Sequence, residues 1–393
     1  MILYDPGLNM VYKAYGIMLP ISPSRADRIM DFLEQAAVLE TPGVGPVYTV
    51  AEALDFLGEP RASDEALENA VISREDLERV HQKEFIATLY EDGPDPGGLV
   101  QALLNAWELI DDQGRLNRYE PDKAMKPLQE LFRMVRAQVG GTYLAARLAL
   151  SAGATTGTPP FCYYLGGGMH HARYDSGAGF CLLNDIMIAA RKLHAENRVN
   201  LIWVVDVDAH KGCGTAELVC FAREKGDLGV HTNDPTGGTA GHVKSRDILN
   251  LSIHMARGWP LDAETLSTAQ PGRAPRVPGD VEIPIEQGAE ADYISGLARG
   301  LHRLEALSGG VKPDLVLVVD GADPYEHDGL LSSGLLKLTL EQCVQRDRLI
   351  YDYLQERNIP SAWIMAGGYG ERAWEPGAHF LGILGLRMDA DNQ

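Results

Sequence analysis

The sequence predicts an α/β fold built on a buried parallel sheet, and three observations lead there. Continuous apolar runs of strand length occur at Leu201–Val205, Leu315–Val319 and Ala362–Ala366, with a less purely apolar run at Ile248–Ile253. Segments with helical spacing lie between them. A polar cluster ends each run: Asp206 and Asp208, Ser252 and His254, Asp320 and Asp323, and Gly367-Gly-Tyr369. Apolar runs alternating with helices mark strands covered on both faces. Ligands of open parallel sheets bind outside the carboxyl ends of the strands, so four strands delivering polar side chains to one edge point to a site there.

The elements follow in chain order. The first 150 residues are predicted mainly helical, with apolar residues at helical spacing from Ser24 to Leu39. Ser73-Arg-Glu-Asp76 is a capping-box variant predicting a helix through about Tyr90. Asp92–Gly98 reads as a loop, and Pro127–Ser151 as another helix. From Phe161 the rhythm changes to strands alternating with helices, the latter expected at Asn184–Glu196, Ala289–Leu307 and Leu340–Arg357. Thr265–Gly279, rich in Pro, Gly, Ser and Thr, is expected to be a long surface loop.

Composition narrows the function classes. The chain has 393 residues, 45% hydrophobic and 23% charged, which is enough for a large core. Its net charge of -20 opposes nucleic-acid binding. It is compatible with a cationic substrate such as a lysine-rich tail or a polyamine, and equally with a solvated acidic surface. No apolar run reaches membrane-spanning length, and no signal peptide is expected. Five cysteines without a C-x-x-C pair suggest a reduced protein and a cytoplasmic location.

The strand-end residues carry the chemistry. Asp208-Ala-His210 has i, i+2 spacing, which in extended backbone puts both side chains on one face. With Asp323 from another strand end, they form a candidate ligand set for one divalent cation. Zn2+ is the default, while Fe2+, Co2+ or Mn2+ also suit oxygen-rich ligation. His170 and His171 follow Gly166-Gly-Gly168 and are candidate proton carriers. Asp206 is a candidate orienting partner for His170. Tyr369, beside two glycines, is a candidate hydrogen-bond donor to a developing oxyanion.

Taken together, GGGMHHA, SGAGFCLLNDIMIAA, VDVDAHKGCGT, GADPYEHDGLLSSGLLKLT and AGGYG resemble the histone deacetylase family, bacterial deacetylase-like amidohydrolases and acetylpolyamine amidohydrolases included. The resemblance covers nearly the whole chain. It implies the arginase/deacetylase α/β fold: one catalytic domain over residues 1–393, with a central parallel sheet of about eight strands and helices on both faces. It also implies that Asp208, His210 and Asp323 are zinc ligands, that His170 and His171 are tandem catalytic histidines backed by Asp206, and that Tyr369 polarises the acyl carbonyl. Phe180 and Trp259 match tunnel-wall aromatics, and Leu330 aligns at the tunnel mouth. Arg25 resembles an arginine near an acetate channel. Asp206, Asp208, His210 and Ser252 match a structural K+ site.

Several positions depart from the family pattern. Lys211 stands where a second histidine is usual, and Cys213 where Asn or Asp usually partners the second tandem histidine. Met18-Leu-Pro20 replaces a His-Pro signature, and no P-G-T-G segment follows the aromatic Trp259, where Trp259-Pro260 runs into the long loop instead.

The resemblance implies a zinc-dependent hydrolase removing acetyl or other acyl groups from lysine side chains or related amines. Its partners would be acyl-lysine peptides, proteins or small acylated amines, with no nucleic acid and no membrane. Two alternatives stay open: an acetylpolyamine amidohydrolase, and a catalytically weak acyl-lysine-binding protein. A dimanganese ureohydrolase is disfavoured because Gly212 stands where it needs a carboxylate. Oligomeric state is left open, a homo-oligomer included.

Overall fold

The computed structural model describes residues 1–39, 44–59, 71–90, 97–111, 113–155, 160–229, 246–261 and 276–390. The chain opens with β1 (Ile2–Leu3), α1 (Arg25–Gln35), β2 (Val47–Tyr48) and α2 (Val50–Leu57). Then come α3 (Arg74–Glu78), α4 (Lys83–Thr88), α5 (Gly98–Ala106) and the long α6 (Leu131–Thr155). The strand-rich half runs β3 (Phe161–Tyr164), α7 (Asp185–Ala195), β4 (Leu201–Asp206), α8 (Cys213–Glu224), β5 (Asp247–Met255) and β6 (Val281–Ile285). It closes with α9 (Tyr293–Leu307), β7 (Leu315–Val319), α10 (Leu340–Glu356), β8 (Ser361–Ile364) and α11 (Glu375–Ala390).

The eight strands form one parallel sheet in the order β2-β1-β3-β8-β7-β4-β5-β6. Alternation along each strand divides the core between its faces. Ile202 and Val204 of β4 join the cluster containing α6 and α7 residues, while Leu201, Trp203 and Val205 join the one containing α9, α10 and α11 residues. Helices therefore cover both faces, as expected for a wholly parallel sheet. Asp206 of β4 pairs in register with Ser252 of β5 and Val319 of β7, so the polar clusters after these strands meet at one edge.

Four strands escaped the sequence reading. β1 and β2 have two residues each, too few to show a period. β3 (Phe-Cys-Tyr-Tyr) is wholly buried but only four residues long, and its two tyrosines keep it from reading as an aliphatic run. β6 carries Pro284, which weakens a strand pattern but is tolerated at this sheet edge. β8 covers Ser361–Ile364 rather than Ala362–Ala366, because Ala366 has φ +46° and leaves the extended conformation.

The capping box at Ser73 forms, with Asp76 N donating to Ser73 Oγ and Ser73 N to Asp76 Oδ2. The predicted helix to Tyr90 is instead two, α3 and α4. Between them the chain turns to make tertiary bonds: Gln82 N donates to Tyr174 O, and His81 Nε2 accepts from Asn184 N. Residues 92–96 of the expected first loop lie outside the described residues, and Gly98 already opens α5. Of the expected loop Thr265–Gly279, residues 265–275 also lie outside them.

A buried arginine joins α10 to the site edge. Arg346 contacts Asp347 Oδ1 at 2.6 Å and Asp320 Oδ1 at 2.5 Å, and donates to the carbonyls of Val207 and Gly321. Tyr163 OH donates to the other oxygen of Asp320 at 2.7 Å. The carbonyls held this way immediately precede Asp208 and lie two residues before Asp323. Removing one partner of a buried ion pair leaves an uncompensated charge, at a cost of about 3–5 kcal/mol. Arg346→Met is expected to lose stability on that scale in urea unfolding. A loss below about 1 kcal/mol would show that the carboxylates are neutralised or hydrated without the arginine.

Candidate functional site

The loop after β3 is a bent glycine run held by side chains from beneath. Gln138 Oε1 accepts from Gly167 N at 2.7 Å, and the Asp185 carboxylate accepts from Gly168 N at 2.8 Å and Met169 N at 2.6 Å. Gly168 has φ +88°, and a Cβ there would lie 2.3 Å from Ala366 Cα. That close approach delivers His170 and His171 to the sheet edge. Both are buried.

His170 Nδ1 lies 2.7 Å from Asp206 Oδ2, and its Nε2 lies 2.9 Å from His171 Nε2. The two imidazoles differ in support. Burial alone would lower His170, but the carboxylates of Asp206 and Asp208 outweigh it and raise it to about 9. Burial, then the neighbouring His170 and His210, holds His171 well below the usual histidine range. Among the described residues, His171 Nδ1 has no hydrogen-bond partner.

Asp208, His210 and Asp323 offer donor atoms within 4.8 Å of one another, and all three are buried. His210 Nδ1 lies 2.7 Å from Asp323 Oδ2 and 3.3 Å from Asp208 Oδ1. Backbone groups fix the carboxylates: Ala209 N donates to Asp323 Oδ1, and His210 N and Gly367 N donate to the two oxygens of Asp208. Burial would lower His210, yet Asp208 and Asp323 raise it to about 10. Burial and then Asp208 push Asp323 up to about 7. Two buried carboxylates and an imidazole sharing protons in so small a space fit a divalent cation, whose charge would replace those protons.

Tyr369 closes the site from the loop after β8. Its backbone N donates to Asp328 Oδ2 at 2.7 Å, and Asp328 also accepts from Leu330 N and Ser333 Oγ. Burial, then Asp323 and Asp208, keeps the Tyr369 phenol protonated, well above its usual range. The phenol is thus a donor.

Two cavities meet at these residues. The inner one includes Arg25, His170, His171, Asp208 and Tyr369 among its lining. Arg25 donates to the carbonyls of Met365, Ala366 and Gly367, fixing the loop before Tyr369. The outer one, of about 170 Å³, places His171, His210 and Tyr369 with Phe180, Trp259 and Leu330. The Trp259 ring stands 4.5 Å from that of His171, and the Phe180 ring 6.2 Å from that of Tyr369. Gly179 permits this packing, since a Cβ there would lie 2.3 Å from the Trp259 ring.

Every site residue read from the sequence therefore lies at or beside this edge. Ser252 does so through its register with Asp206, its hydroxyl 3.1 Å from His254 Nδ1. The supports Gln138, Asp185 and Asp328 were not singled out, nor were Glu108 and Arg118, which also line the outer cavity. Asp185 and Asp328 do sit inside the quoted motifs. Gln138, Glu108 and Arg118 had no signal. Lys211 is buried and paired with Glu282.

The histone deacetylase domain family matches residues 19–380. Similar proteins include an uncharacterized protein of Picosynechococcus, 32% identical over 234 residues, which are 59% of this chain and 62% of that protein. Histone deacetylase 2 of Arabidopsis thaliana is 29% identical over 61% of this chain and 51% of its own length. An acetoin utilization protein AcuC of Staphylococcus aureus is 28% identical over 60% of this chain and 51% of its own length. The matches span between about half and two thirds of these relatives.

Ion-free protein is expected to take up one Zn2+ per chain, and the Asp208→Ala, Asp323→Ala double variant to lose it. Full occupancy in that variant, by elemental analysis, would remove the assignment. His210 and Asp323 must release protons to bind, because their raised pKa values keep protons on them near neutrality. Affinity should therefore rise with pH across the neutral range, with calorimetry in buffers of different ionisation enthalpy reporting the release.

Proposed function

This chain belongs to the histone deacetylase family, and from that premise we propose that it is a metal-dependent amidohydrolase removing acetyl or other acyl groups from lysine side chains or related amines. One observation carries the reading. A three-donor cation set, two linked imidazoles with unlike partners, and a protonated phenol converge where two cavities meet. We take residues 1–393 as one catalytic domain, supported by a single sheet whose strands run from Ile2 to Ile364.

Asp208, His210 and Asp323 would hold the ion, with Zn2+ our first assignment and Fe2+, Co2+ or Mn2+ compatible with the same donors. When bound, such an ion supplies a Lewis acid that polarises the acyl carbonyl and acidifies water. The acylated chain would lie between Phe180 and Trp259, beneath Leu330. His171, whose Nδ1 meets no carboxylate among the described residues, is the base that takes the proton of the attacking water. His170, held at Nδ1 by Asp206, keeps the pair supplied with a proton, and the pair returns one to the leaving nitrogen. Tyr369 OH donates to the carbonyl oxygen as negative charge builds there. Arg25, on the inner cavity, would attend the departing acetate. Asp206, Asp208, His210 and Ser252 are our candidates for a structural K+ site.

Among the described residues no helix is long and apolar enough to cross a membrane. The five free cysteines fit a reducing, cytoplasmic setting.

Tyr369→Phe is expected to lower kcat on acetyl-lysine peptides about 100-fold or more, the usual cost of one oxyanion donor, with metal content intact. An unchanged rate would mean that Tyr369 only packs. A protein that binds acyl-lysine peptides but never turns them over would instead favour a binding role.

Cys213→Asp is expected to supply a carboxylate near His171. Burial lowers the His171 pKa in the native protein, and a nearby anion favours imidazolium, raising it. The base would then be protonated at higher pH, moving the acidic limb of the kcat/KM profile upward. Superimposable profiles from folded, metal-loaded proteins would show that position 213 does not tune this base.

A further inference from the structure

Among the described residues, seven non-glycine residues have φ between +46° and +67°. Two are asparagines, which adopt this conformation at little cost. Of the other five, Glu108, Arg118, Phe180 and Ala366 line the two cavities. Strained backbone of this kind is concentrated at ligand-binding places. Phe180 and Ala366 flank groups already discussed, whereas Glu108 and Arg118 have no part in the reaction proposed above.

A short hairpin brings these two together. Ile110 bridges Leu116, Asn117 N donates to Leu109 O, and Asn117 Nδ2 donates to Glu108 O. Outside the hairpin, Met18 N donates to Arg118 O at 2.8 Å, and Phe180 N to Ala106 O at 2.8 Å. Both backbones are thus pinned while both side chains reach the outer cavity. The Arg118 guanidinium lies 5.6 Å from the Phe180 ring centroid. It meets Glu108 through one contact of 3.4 Å, with the side chains 36% and 30% exposed. A single exposed contact of that length is worth little, so both groups remain available to a ligand. Guanidinium matches carboxylate in a planar, two-bonded geometry, and the Glu108 carboxylate suits an ammonium group.

Resting on the amidohydrolase reading, we infer that Glu108 and Arg118 are specificity-determining residues that read the α-ammonium and α-carboxylate of a free, side-chain-acylated amino acid such as Nε-acetyl-lysine. The amide would reach His171 and Tyr369 in the same cavity, whose volume of about 170 Å³ suits one extended side chain. An internal residue of a peptide offers neutral amides to these two charges. A polyamine offers Arg118 a like charge, the repulsive element that specificity often uses. The carboxylate could also come from a peptide ending in acetyl-lysine, which would engage Arg118 but not Glu108.

The test is kcat/KM on the metal-loaded enzyme for four substrates: free Nε-acetyl-lysine, its derivative capped at both ends, a peptide ending in acetyl-lysine, and a monoacetylated diamine. Free acetyl-lysine is expected to exceed the doubly capped form by about 10- to 100-fold, the worth of a hydrogen bond to a charged group. Arg118→Gln should lower that ratio and bring the advantage of the peptide end over the doubly capped form near one, mainly through KM. Glu108→Gln should erase only the preference for the free amino acid over the peptide end. Equal rates on free and capped acetyl-lysine, or a ratio unmoved by Arg118→Gln, would overturn the inference. A preference for the free amino acid over the peptide end that survives Glu108→Gln would overturn the Glu108 assignment. Should no acylated amine turn over, the amidohydrolase reading itself fails. Calorimetric binding of Nε-acetyl-lysine to the native protein and to Arg118→Gln then decides the pair alone: weaker binding to the variant supports it, and equal binding overturns it.

Discussion

Burying several carboxylates at one sheet edge is the constraint on which the rest of the structure depends. Asp206, Asp208, Asp320 and Asp323 are each at most 3% exposed. A buried anion costs several kcal/mol unless hydrogen bonds or opposite charge offset it. Each therefore has a dedicated answer. Arg346 and Tyr163 hold Asp320, His170 holds Asp206, His210 holds Asp323, and backbone N–H groups hold Asp208. Those answers are also the geometry of the candidate site. The same bonds that make the carboxylates tolerable aim them at one another and at the two histidines. A divalent cation would offset the burial cost and the repulsion from Asp208 that together push Asp323 upward.

A second set of supports acts on backbone rather than on reactive groups. Asp185 and Gln138 hold the glycine run before His170. Asp328 and Arg25 hold the loop that carries Tyr369. Both loops leave parallel strands at their carboxyl ends and would be free to swing without these bonds. Fixing them places the imidazoles and the phenol before any ligand arrives, which is where electrostatic catalysis gains most. Burial of the supports raises their bonding strength, since little water competes for them.

This division explains what the sequence revealed. Strands β4 and β7 stand out because both faces are buried and their residues form unbroken apolar runs. The donors Asp208, His210 and Asp323 follow such runs directly, so local reading found them. The two-residue strands β1 and β2 exist only because β3 gives β1 a partner and β1 in turn pairs with β2, and no local pattern encodes that. The break between α3 and α4 likewise comes from bonds to residues near 174 and 184, about 90 to 100 positions away. Glu108 and Arg118 became site residues only when their hairpin folded against Phe180. Asp328 lay inside a quoted motif, but its bond to Tyr369 N spans 41 positions.

The departures at Lys211 and Cys213 lie at the start of α8, and their surroundings differ. Lys211 is buried with Glu282 of β6, so its charge is neutralised within the sheet rather than turned toward the cavities. Among the described residues His171 Nδ1 has no hydrogen-bond partner, and Cys213 stands at the position that the resemblance aligns with its usual partner. The two imidazoles differ more than their adjacency suggests: Nδ1 of His170 is braced by a carboxylate, whereas Nδ1 of His171 has no partner among the described residues. In the proposed roles of acid and base, two imidazoles 2.9 Å apart need such a difference, because identical environments would give both the same proton affinity. Here it arises from what stands behind each ring, Asp206 in one case and no hydrogen-bond partner in the other.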